Sequence, residues 1–298
     1  MHILIAGGSG FLGTYLSQAL AQRGYEVTIL SRKPEKTDAK PHIRIVYWDG
    51  QSIMLPSKKP VDIVINLCGL SIARYWSQTA KKNIHLSRIQ PTRALVKWIK
   101  HTHPTPTTMI QISGIDYYDI TTPICDENTP PGNSFLARMT KEWESETATL
   151  CPKTTRLVIA RLSPVFANTH PPLKPLIQTT WLGLGCIISP GTQNFSWIHH
   201  QDFTNIIQTM IENNNLKGPY NICAPSPTSY IQLMKALSIY YNRPLWLKMP
   251  TWIIQKILGE VATLVIDNRN VSAKKIQQHY TFQYPTIDQA IAALGSKG

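Results

Sequence analysis

The stretch MHILIAGGSGFLG, residues 1–13, decides the fold class of this chain. An apolar run over residues 3–6 predicts a strand, and glycines follow at positions 7, 8, 10 and 13. Residues 14–23 then predict a helix. A strand that ends in a tight glycine turn before a helix is typical of a dinucleotide site. The missing side chains let the backbone approach a pyrophosphate, and the helix N-terminus offers free N–H groups and the positive end of its dipole.

The spacing of these glycines fits a phosphate-binding pattern. Gly8, Gly10 and Gly13 match G-x-G-x-x-G, and Gly7, Gly10 and Gly13 are also spaced by three residues. The pattern requires a strand before it and a helix after it, and both are predicted here. Residues 25–30, YEVTIL, alternate and are rich in β-formers, so they predict the second strand of a βαβ unit. An ordinary glycine turn is the alternative.

The end of the second strand indicates which cofactor fits. An acidic residue there would bind a ribose 2′-hydroxyl, but the chain has Ser31, Arg32 and Lys33. A carboxylate would repel a 2′-phosphate, whereas a guanidinium binds phosphate through paired charge-assisted hydrogen bonds. The sequence therefore predicts NADP(H) rather than NAD(H). A solvated surface pair of basic residues is the alternative interpretation.

Composition limits the class of protein. The 298 residues carry a net charge of +13, which favours acidic ligands such as a nucleotide. The basic residues are scattered and no zinc-finger or RNA-binding signature appears, so we expect no specific nucleic-acid partner. The five cysteines are dispersed without a C-x-x-C pair, which indicates no metal site and a reducing, cytoplasmic location. No apolar run approaches the ~20 residues of a membrane span, and we expect no cleaved signal peptide.

Strand and helix patterns alternate along the first half of the chain. The strand-like runs are 43–48, 61–67, 108–113 and 156–162, and the helical runs are 78–101 and 134–150. This alternation predicts an α/β fold with a Rossmann-type, doubly wound parallel sheet. We expect a nucleotide-binding domain over 1–165, with elements returning from later segments, and a smaller C-terminal substrate-binding region over 166–298.

In that second region, helices are predicted over 226–240 and 251–265. The second of these carries an apolar stripe at helical spacing. Core packing or pocket lining explains such a stripe, and a helix lying on a membrane surface is the alternative.

Further motifs extend along the chain. They are Asn66-Leu67-Cys68-Gly69, Arg74-Tyr75-Trp76, Ser87-Arg88, Tyr117-Tyr118, Trp143-Glu144, Phe195-Ser196-Trp197-Ile198-His199 with Asp202, and Gly259-Glu260. With the opening turn, they make the chain resemble the extended short-chain dehydrogenase/reductase superfamily. Within it, the chain is most similar to the atypical branch of NAD-dependent epimerase family proteins that includes the YfcH-like proteins.

The resemblance implies a map of cofactor contacts. Leu67, Cys68 and Gly69 would end the fourth strand against the adenosine and pyrophosphate, and Val165 would lie near the nicotinamide. Asn83 and Arg88 would reach the cofactor from the helix over 78–100, unless they only form its polar surface. Asp49 would touch the adenine or serve a turn. The implied cofactor-binding set is Gly7, Gly10, Phe11, Leu12, Gly13, Ser31, Arg32, Leu67, Cys68, Gly69, Asn83, Arg88 and Val165.

The chain departs from the superfamily at the catalytic residues. Most members use a Ser and a Tyr-x-x-x-Lys helix, in which the Lys lowers the pKa of the tyrosine so that it can transfer a proton. Ser113 is the candidate serine. Aligned through Trp143-Glu144, the Tyr and Lys positions fall on Leu136 and Thr140, and no Tyr-x-x-x-Lys occurs anywhere in the chain.

Three groups of residues are available as substitutes. Tyr117 or Tyr118 supplies a phenol, Lys141 a cation one residue out of register, and His199 an acid or base that titrates near neutrality. Each also has a structural interpretation. The tyrosines pack with their hydroxyls hydrogen-bonded, Lys141 is a solvated helix residue, and His199 is held by Asp202.

Two functions follow as alternatives. The first is an NADP(H)-dependent oxidoreductase or epimerase whose small-molecule substrate lies among Ser113, Tyr117 or Tyr118, and loops that include Trp197 and His199. The second is a non-catalytic NADP(H)-binding sensor or scaffold. A basic surface for nucleic acid or anionic membrane is a third, weaker hypothesis. A homodimer is compatible with the sequence, which does not fix the oligomeric state.

Overall fold

The computed structural model describes residues 1–34, 40–55, 59–119, 121–150, 153–167 and 172–294. The strands, in chain order, are β1 (His2–Ala6), β2 (Glu26–Ser31), β3 (Ile43–Tyr47), β4 (Ile63–Asn66), β5 (Thr108–Gly114), β6 (Arg156–Leu162), β7 (Val165–Phe166), β8 (Cys186–Ile188), β9 (Ile198–His199), β10 (Gly218–Ile222) and β11 (Leu247–Met249).

The helices alternate with these strands over the first half of the chain and dominate the second half. They are α1 (Phe11–Gln22), α2 (Gln78–His101), α3 (Phe135–Ser145), α4 (Leu173–Trp181), α5 (His200–Glu212), α6 (Tyr230–Tyr241), α7 (Thr251–Leu258), α8 (Thr263–Ile266), α9 (Lys274–Gln277) and α10 (Ile287–Leu294). Short 3₁₀ turns cover Ile115–Tyr117 and Gly259–Ala262.

A seven-stranded sheet forms the centre of the molecule, in the order β10-β6-β5-β4-β1-β2-β3. Every pairing in it is parallel. The strand order reverses beside β1, as in doubly wound Rossmann-type folds. The predicted fold class is therefore confirmed. Because all seven strands run in the same direction, their carboxyl ends and the loops that follow lie along one edge of the sheet.

The apolar strands are buried because helices cover both faces of the sheet. All five residues of β1 and all four of β4 are buried. Helices α1 and α5 supply apolar side chains to one face, and α2 supplies them to the other. Continuous apolar strands of this kind are typical of parallel sheets that are covered on both sides.

The later part of the chain both returns to this sheet and forms a smaller unit beside it. Strand β10 extends the sheet beyond β6, and α5 packs on α1. The smaller unit contains the two-stranded pairs β7-β9 and β8-β11 and a second core around Phe166 and Trp197. The domain boundary at residue 165 stays a prediction.

Several element bounds differ from the sequence-based predictions. Helix α1 begins at Phe11 because Gly10 is its N-cap, so Gly13 lies inside the helix. Ser134 caps α3, which ends at Ser145 rather than continuing to residue 150. The helix predicted over 251–265 is interrupted at Gly259, whose φ of +59° is not helical. Strand β10 and helices α4, α5, α9 and α10 were not among the predicted elements, although the apolar residues of α5 recur at helical spacing.

Two findings bear on location and metal binding. Among the residues described, no helix is long and apolar enough to cross a membrane. Within the same ranges, no group of three or more His, Cys, Asp or Glu side chains is placed to hold a metal ion. Four cysteines are free thiols, Cys68, Cys125, Cys186 and Cys223. Cys151 lies outside the described residues.

Candidate cofactor and active site

The glycine loop lies at the carboxyl end of β1, against the neighbouring loop of β4. Gly7 has a φ of +77°, and a Cβ on it would stand 2.9 Å from the carbonyl carbon of Leu67. A Cβ on Gly13 would stand 2.4 Å from the Cα of Gly8. These two glycines are therefore required by the close packing of loop, helix and sheet.

Gly10 plays a different part in this loop. Its φ is −78°, and the nearest atom to an added Cβ would be the Gly7 carbonyl oxygen at 3.3 Å. Gly10 is the N-cap of α1, and no side chain caps the helix there. No acidic residue occupies the first turn. The positive end of the α1 dipole is thus left for an anion.

The end of β2 lies beside the glycine loop. The Ser31 hydroxyl is 2.8 Å from that of Ser9 in the loop, and it accepts a hydrogen bond from the Lys33 backbone N–H at 3.1 Å. Arg32 is exposed, and its positive charge acts on Cys68 at the end of β4. Burial nevertheless raises the pKa of the Cys68 thiol to about 12. The Arg32 side chain is free to meet a ligand at this edge.

Arg88 of α2 points at the loop that follows β4. A Cβ on Gly69 would stand 3.1 Å from the Arg88 guanidinium carbon. The guanidinium donates to the Ile84 carbonyl at 3.1 Å and lies over the Trp143 ring, 5.2 Å from its centroid. Its Nε is buried without a hydrogen-bond partner, and burial lowers the pKa of Arg88 to about 10. Among the described residues, no carboxylate is paired with it.

A hydrogen-bond network holds α2 and α3 against the end of β4. Asn66 donates to Thr92 at 2.8 Å, and the Trp143 indole N–H donates to the same hydroxyl at 2.9 Å. The Asn66 side-chain oxygen accepts from the Cys68 N–H at 3.0 Å. Ser87 anchors the same loop, since its hydroxyl accepts from the Leu70 N–H at 3.0 Å. The motif residues Asn66, Ser87 and Trp143 therefore fix the loop on which Arg88 packs.

Ser113, at the end of β5, belongs to a buried polar network. Its hydroxyl donates to Glu144 Oε1 at 2.7 Å. Arg161 binds the same carboxylate through two hydrogen bonds of 2.9 Å each. Arg161 also donates to the Tyr118 hydroxyl at 2.9 Å, and that hydroxyl donates to Asn221 at 2.6 Å. Burial raises the pKa of Tyr118, against the opposing charge of Arg161. The Tyr118 hydroxyl therefore uses its proton in a hydrogen bond within the network.

Tyr117 differs from its neighbour. It is partly buried, and the Arg161 guanidinium lies over its ring, 3.6 Å from the centroid. No hydrogen bond of its hydroxyl is found in the described part of the chain. The Tyr117 hydroxyl is therefore the phenol that lies outside the hydrogen-bond network.

The catalytic helix of the superfamily corresponds to α3. Leu136 and Thr140, at the positions of the usual Tyr and Lys, are both buried. Lys141 is exposed on the same helix. Consecutive side chains on a helix differ in direction by about 100°, so Lys141 lies on a different side of α3 from Thr140. The structure does not bring Lys141 together with Ser113.

His199 lies at the start of α5 and is buried. Its Nδ1 accepts from the Gln201 N–H at 3.3 Å, so the ring caps the helix. Burial, and then the neighbouring His200, lower the pKa of His199 to about 3. Its Nε2 is buried without a partner among the described residues. Asp202 does not hold this ring, because its carboxylate accepts from the Tyr280 hydroxyl at 2.6 Å and from backbone N–H groups near it.

The remaining predicted residues are spread around the same edge. Val165 of β7 is buried and pairs with Ile198. Asn83 is exposed on α2. Asp49 accepts from the Gln51 N–H at 2.8 Å, as expected of a turn residue. Trp197 is buried and donates to Thr228 at 3.0 Å, so it does not line an open site.

A cleft of about 280 Å³ lies between the 3₁₀ turn after β5 and the C-terminal segment, and its lining includes Tyr118 but neither Ser113 nor Tyr117. Trp76, Phe135 and Leu136 form an apolar part of its lining. In its polar part, Arg269 is ion-paired with Asp116, and Asp267 lies 3.9 Å from the same guanidinium. Burial raises the pKa of Asp267 to about 6 and lowers that of Arg269 to about 10.

The sequence analysis did not predict the ion pairs in the Ser113 network or in the cleft. Glu144 appears in the Trp143-Glu144 motif, but its partner Arg161 comes from β6. Arg269 and Asp116 are 153 residues apart and meet only through the fold. No local spacing indicates either pair.

Comparison with known proteins identifies the family. The model of the NAD dependent epimerase/dehydratase family matches residues 3–223. The chain belongs to this family. A second model, described as a domain of unknown function (DUF1731), matches residues 249–294, the segment that carries Arg269. The resemblance inferred from the motifs is confirmed.

Proteins from distant organisms match over nearly the whole of this chain. Epimerase family protein YfhF of Bacillus subtilis is 31% identical, over 99% of this chain and 98% of that protein. The crystal structure of human epimerase family protein SDR39U1 (isoform 2) with NADPH has a TM-score of 0.89 and is 28% identical, with 100% of each chain covered. The nucleoside-diphosphate sugar epimerase of Corynebacterium glutamicum has a TM-score of 0.79 and is 26% identical, covering 99% of this chain and 58% of that chain.

Proposed function

We propose that this family member binds NADP(H) along the carboxyl edge of its sheet and is an oxidoreductase or epimerase-like enzyme for a small molecule held in the cleft. The cofactor part of this proposal rests on the environment of Arg88. A partly buried guanidinium with no carboxylate beside it and an unpartnered Nε is costly, so its retention beside the β4 loop supports an anionic ligand there. The likeness to the human relative crystallised with NADPH supports the same ligand.

The residues present fit such a cofactor at separate points. The uncapped N-terminus of α1, approached over Gly10, suits the pyrophosphate. Ser31 and Arg32 at the end of β2 offer a hydroxyl and a guanidinium for the 2′-phosphate. Arg88 adds a second fixed guanidinium. The cofactor-binding set predicted from the sequence is retained in this proposal. Asp49, which is outside that set, is assigned the turn role.

The chemistry divides between cofactor and protein. A nicotinamide, when bound, supplies or accepts a hydride. Ser113 is held at the edge of the sheet by Glu144, so its oxygen lone pairs remain available to a substrate hydroxyl. Tyr117 is assigned the proton exchange, because its hydroxyl is the phenol outside the buried network. Tyr118, Lys141 and His199 have structural roles in this proposal.

The charges of the cleft limit the substrate class. Its one lining cation, Arg269, is already paired with Asp116 and Asp267, and the cleft also contains Asp119 and Glu260. A nucleoside-diphosphate sugar brings a pyrophosphate that needs free cations. We therefore assign the cleft to a neutral or cationic small molecule bearing a carbonyl or hydroxyl group.

The experiment has a binding arm and a turnover arm. The purified protein is titrated with NADPH, and its NADPH consumption is then followed with a panel of neutral and amine-bearing carbonyl compounds and with UDP-sugars. We expect tight NADPH binding and turnover within the neutral or amine-bearing set. Turnover of a UDP-sugar alone would contradict the substrate class, and absence of NADPH binding would contradict the whole proposal.

A second candidate is a non-catalytic NADP(H) sensor or scaffold. Leu136 and Thr140 at the usual catalytic positions favour it, as does the closed network around Tyr118. The Tyr117→Phe variant separates the two. A large loss of turnover with unchanged NADPH affinity supports the enzyme, whereas persistent NADPH binding with no turnover of any compound supports the sensor. A cytoplasmic location, the absence of a nucleic-acid partner and a homodimer stay predictions.

A further inference from the structure

Exposed apolar side chains gather on one surface of the C-terminal unit. Trp181 is 56% exposed, Leu184 55% and Trp246 68%. Leu182 and Ile239 are exposed as well. We call these five residues the tryptophan surface. Exposed tryptophans are unusual in a folded protein, and an apolar group of this kind marks an interaction site.

These residues come from separate segments that contact one another. Arg243 Nε donates to the Trp181 carbonyl at 2.8 Å, which joins the end of α4 to the end of α6. In the small sheet, Leu247 pairs with Cys186, so Trp246 lies beside the glycine that follows Leu184. Ile239 is in the last turn of α6, where its carbonyl accepts from the N–H of the C-cap Asn242, the residue before Arg243. The surface is therefore contiguous rather than a set of scattered side chains.

Helix α7 continues directly from this small sheet and is unusually exposed. None of its residues is buried. Trp252 is 62% exposed and Ile257 65% exposed, while Ile254 packs partly on the second core. The three tryptophans that are more than half exposed in this chain thus lie on the same stretch of the C-terminal unit, at positions 181, 246 and 252.

The sequence segments that carry the tryptophan surface contain cations and no carboxylates. The chain has no Asp or Glu between Glu146 and Asp202, and none between Glu212 and Glu260. These segments contain every residue of the surface. Exposed cations accompany it, namely Lys174, Lys235, Arg243, Lys248 and Lys256. A second copy of the chain would bring the same cations face to face, which opposes self-association.

We propose that the tryptophan surface docks on an anionic phospholipid bilayer. Tryptophan rings partition to the headgroup level of a bilayer, and apolar side chains on an exposed helix enter the boundary with the acyl chains. Lysines beside them are attracted to anionic headgroups. A bilayer explains the exposed tryptophans, the exposed amphipathic helix and the cations together. A nucleic acid would explain the cations and the aromatic rings but not the exposed Leu and Ile side chains.

Vesicle co-sedimentation of the full chain tests this proposal. One set of vesicles contains phosphatidylcholine alone and the other also contains phosphatidylglycerol. The variants are Trp181→Ser/Trp246→Ser and Lys248→Glu/Lys256→Glu. The controls are Tyr47→Ser/Ile124→Ser, which removes similarly exposed apolar groups elsewhere, and Lys97→Glu/Lys100→Glu, which changes equal charge on α2. Circular dichroism and NADPH titration verify that each variant is folded.

We expect binding to the anionic vesicles, weakened by added salt and reduced at least about tenfold by either surface variant but not by the controls. Equal binding to both kinds of vesicle, binding that the surface variants leave unchanged, or no binding by the folded protein would each overturn the proposal. A surface-dependent dimer, or surface-dependent binding of single-stranded RNA without vesicle binding, would overturn it in favour of that other partner.

Discussion

The guanidinium of Arg88 lies against Gly69, with its carbon 3.1 Å from the point where a Cβ on that glycine would stand. The contact places a partly buried cation at the carboxyl end of β4 without a carboxylate partner among the described residues. A side chain at position 69 would displace this cation. In the proposed function, this pair contributes to the anion site for the cofactor.

The Arg88→Met variant tests that relationship through stability. Removing an uncompensated buried charge while keeping an unbranched side chain should leave the melting temperature of the ligand-free protein unchanged or higher. The affinity for NADPH should fall by about tenfold or more, since hydrogen bonds to charged groups contribute about 1.5–3 kcal/mol. Calorimetric melting and titration measure both quantities. A destabilised variant with unchanged affinity would show that Arg88 is only structural.

Gly10 and Gly13 should respond differently to alanine. The Cβ of Gly10→Ala meets only the Gly7 carbonyl oxygen at 3.3 Å, so the variant should fold and lose NADPH affinity, because the added methyl group occupies the approach to the helix N-terminus. The Cβ of Gly13→Ala would be 2.4 Å from the Gly8 Cα, so that variant should be strongly destabilised. Circular dichroism melts with NADPH titrations distinguish them. A well-folded Gly10→Ala protein with wild-type affinity would contradict the assigned role.

The buried pair of Glu144 and Arg161 should dominate the stability of the network around Ser113. Their side chains are 10% and 5% exposed. Glu144→Ala leaves the Arg161 charge buried and unpaired, so the free energy of unfolding should fall by about 3–5 kcal/mol. Urea unfolding measures it. The matched control is Glu146→Ala, whose partner Arg93 is 61% exposed, and it should cost less than about 1 kcal/mol. Similar losses for both variants would refute this assignment.

The neighbouring histidines at the start of α5 should make stability depend on pH. Burial lowers the pKa of His199 to about 3 and that of His200 to about 4, below the unfolded value near 6.5. The unfolded state therefore binds more protons below pH 6.5, and the free energy of unfolding should fall as pH decreases toward 4, by at most about 1.4 kcal/mol per pH unit for each histidine.

Urea unfolding between pH 7 and pH 4.5 checks this expectation. His199→Asn keeps an N-cap acceptor and removes the titrating ring, so its stability should depend less steeply on pH. The exposed His101→Gln variant serves as the control. Parallel pH profiles for the wild type and His199→Asn would exclude His199 as a source of the dependence.

The sequence was informative wherever a feature depends on local spacing. The strand, glycine turn and helix of residues 1–22 follow from periodicity and glycine positions, and the parallel sheet follows from the alternation of elements. Gly13 was placed in the turn before the helix rather than inside it, because the cap at Gly10 has no side-chain signal. The cofactor roles of Arg88 and Gly69 were each implied by family resemblance, and their contact with each other was not predicted.

Long-range polar pairs could not be predicted from one sequence. The fold joins Ser113, Glu144 and Arg161 from three different elements, and it brings Arg269 to Asp116 across 153 residues. The later helices α4, α5 and α10 were also not predicted. Helices α4 and α10 are short, with nine and eight residues, whereas α5 has 13 residues and was overlooked. Such contacts depend on topology, which single-sequence patterns do not encode.

The preference for NADP(H) is tested most directly by a pair of calorimetric titrations, with NADPH and with NADH, on the wild-type protein and on Arg32→Glu. We expect the wild type to bind NADPH at least about tenfold more tightly than NADH. We expect Arg32→Glu to lose this preference, because its carboxylate repels the 2′-phosphate. Equal affinity for the two nucleotides in the wild type, or an unchanged preference in Arg32→Glu, would contradict it.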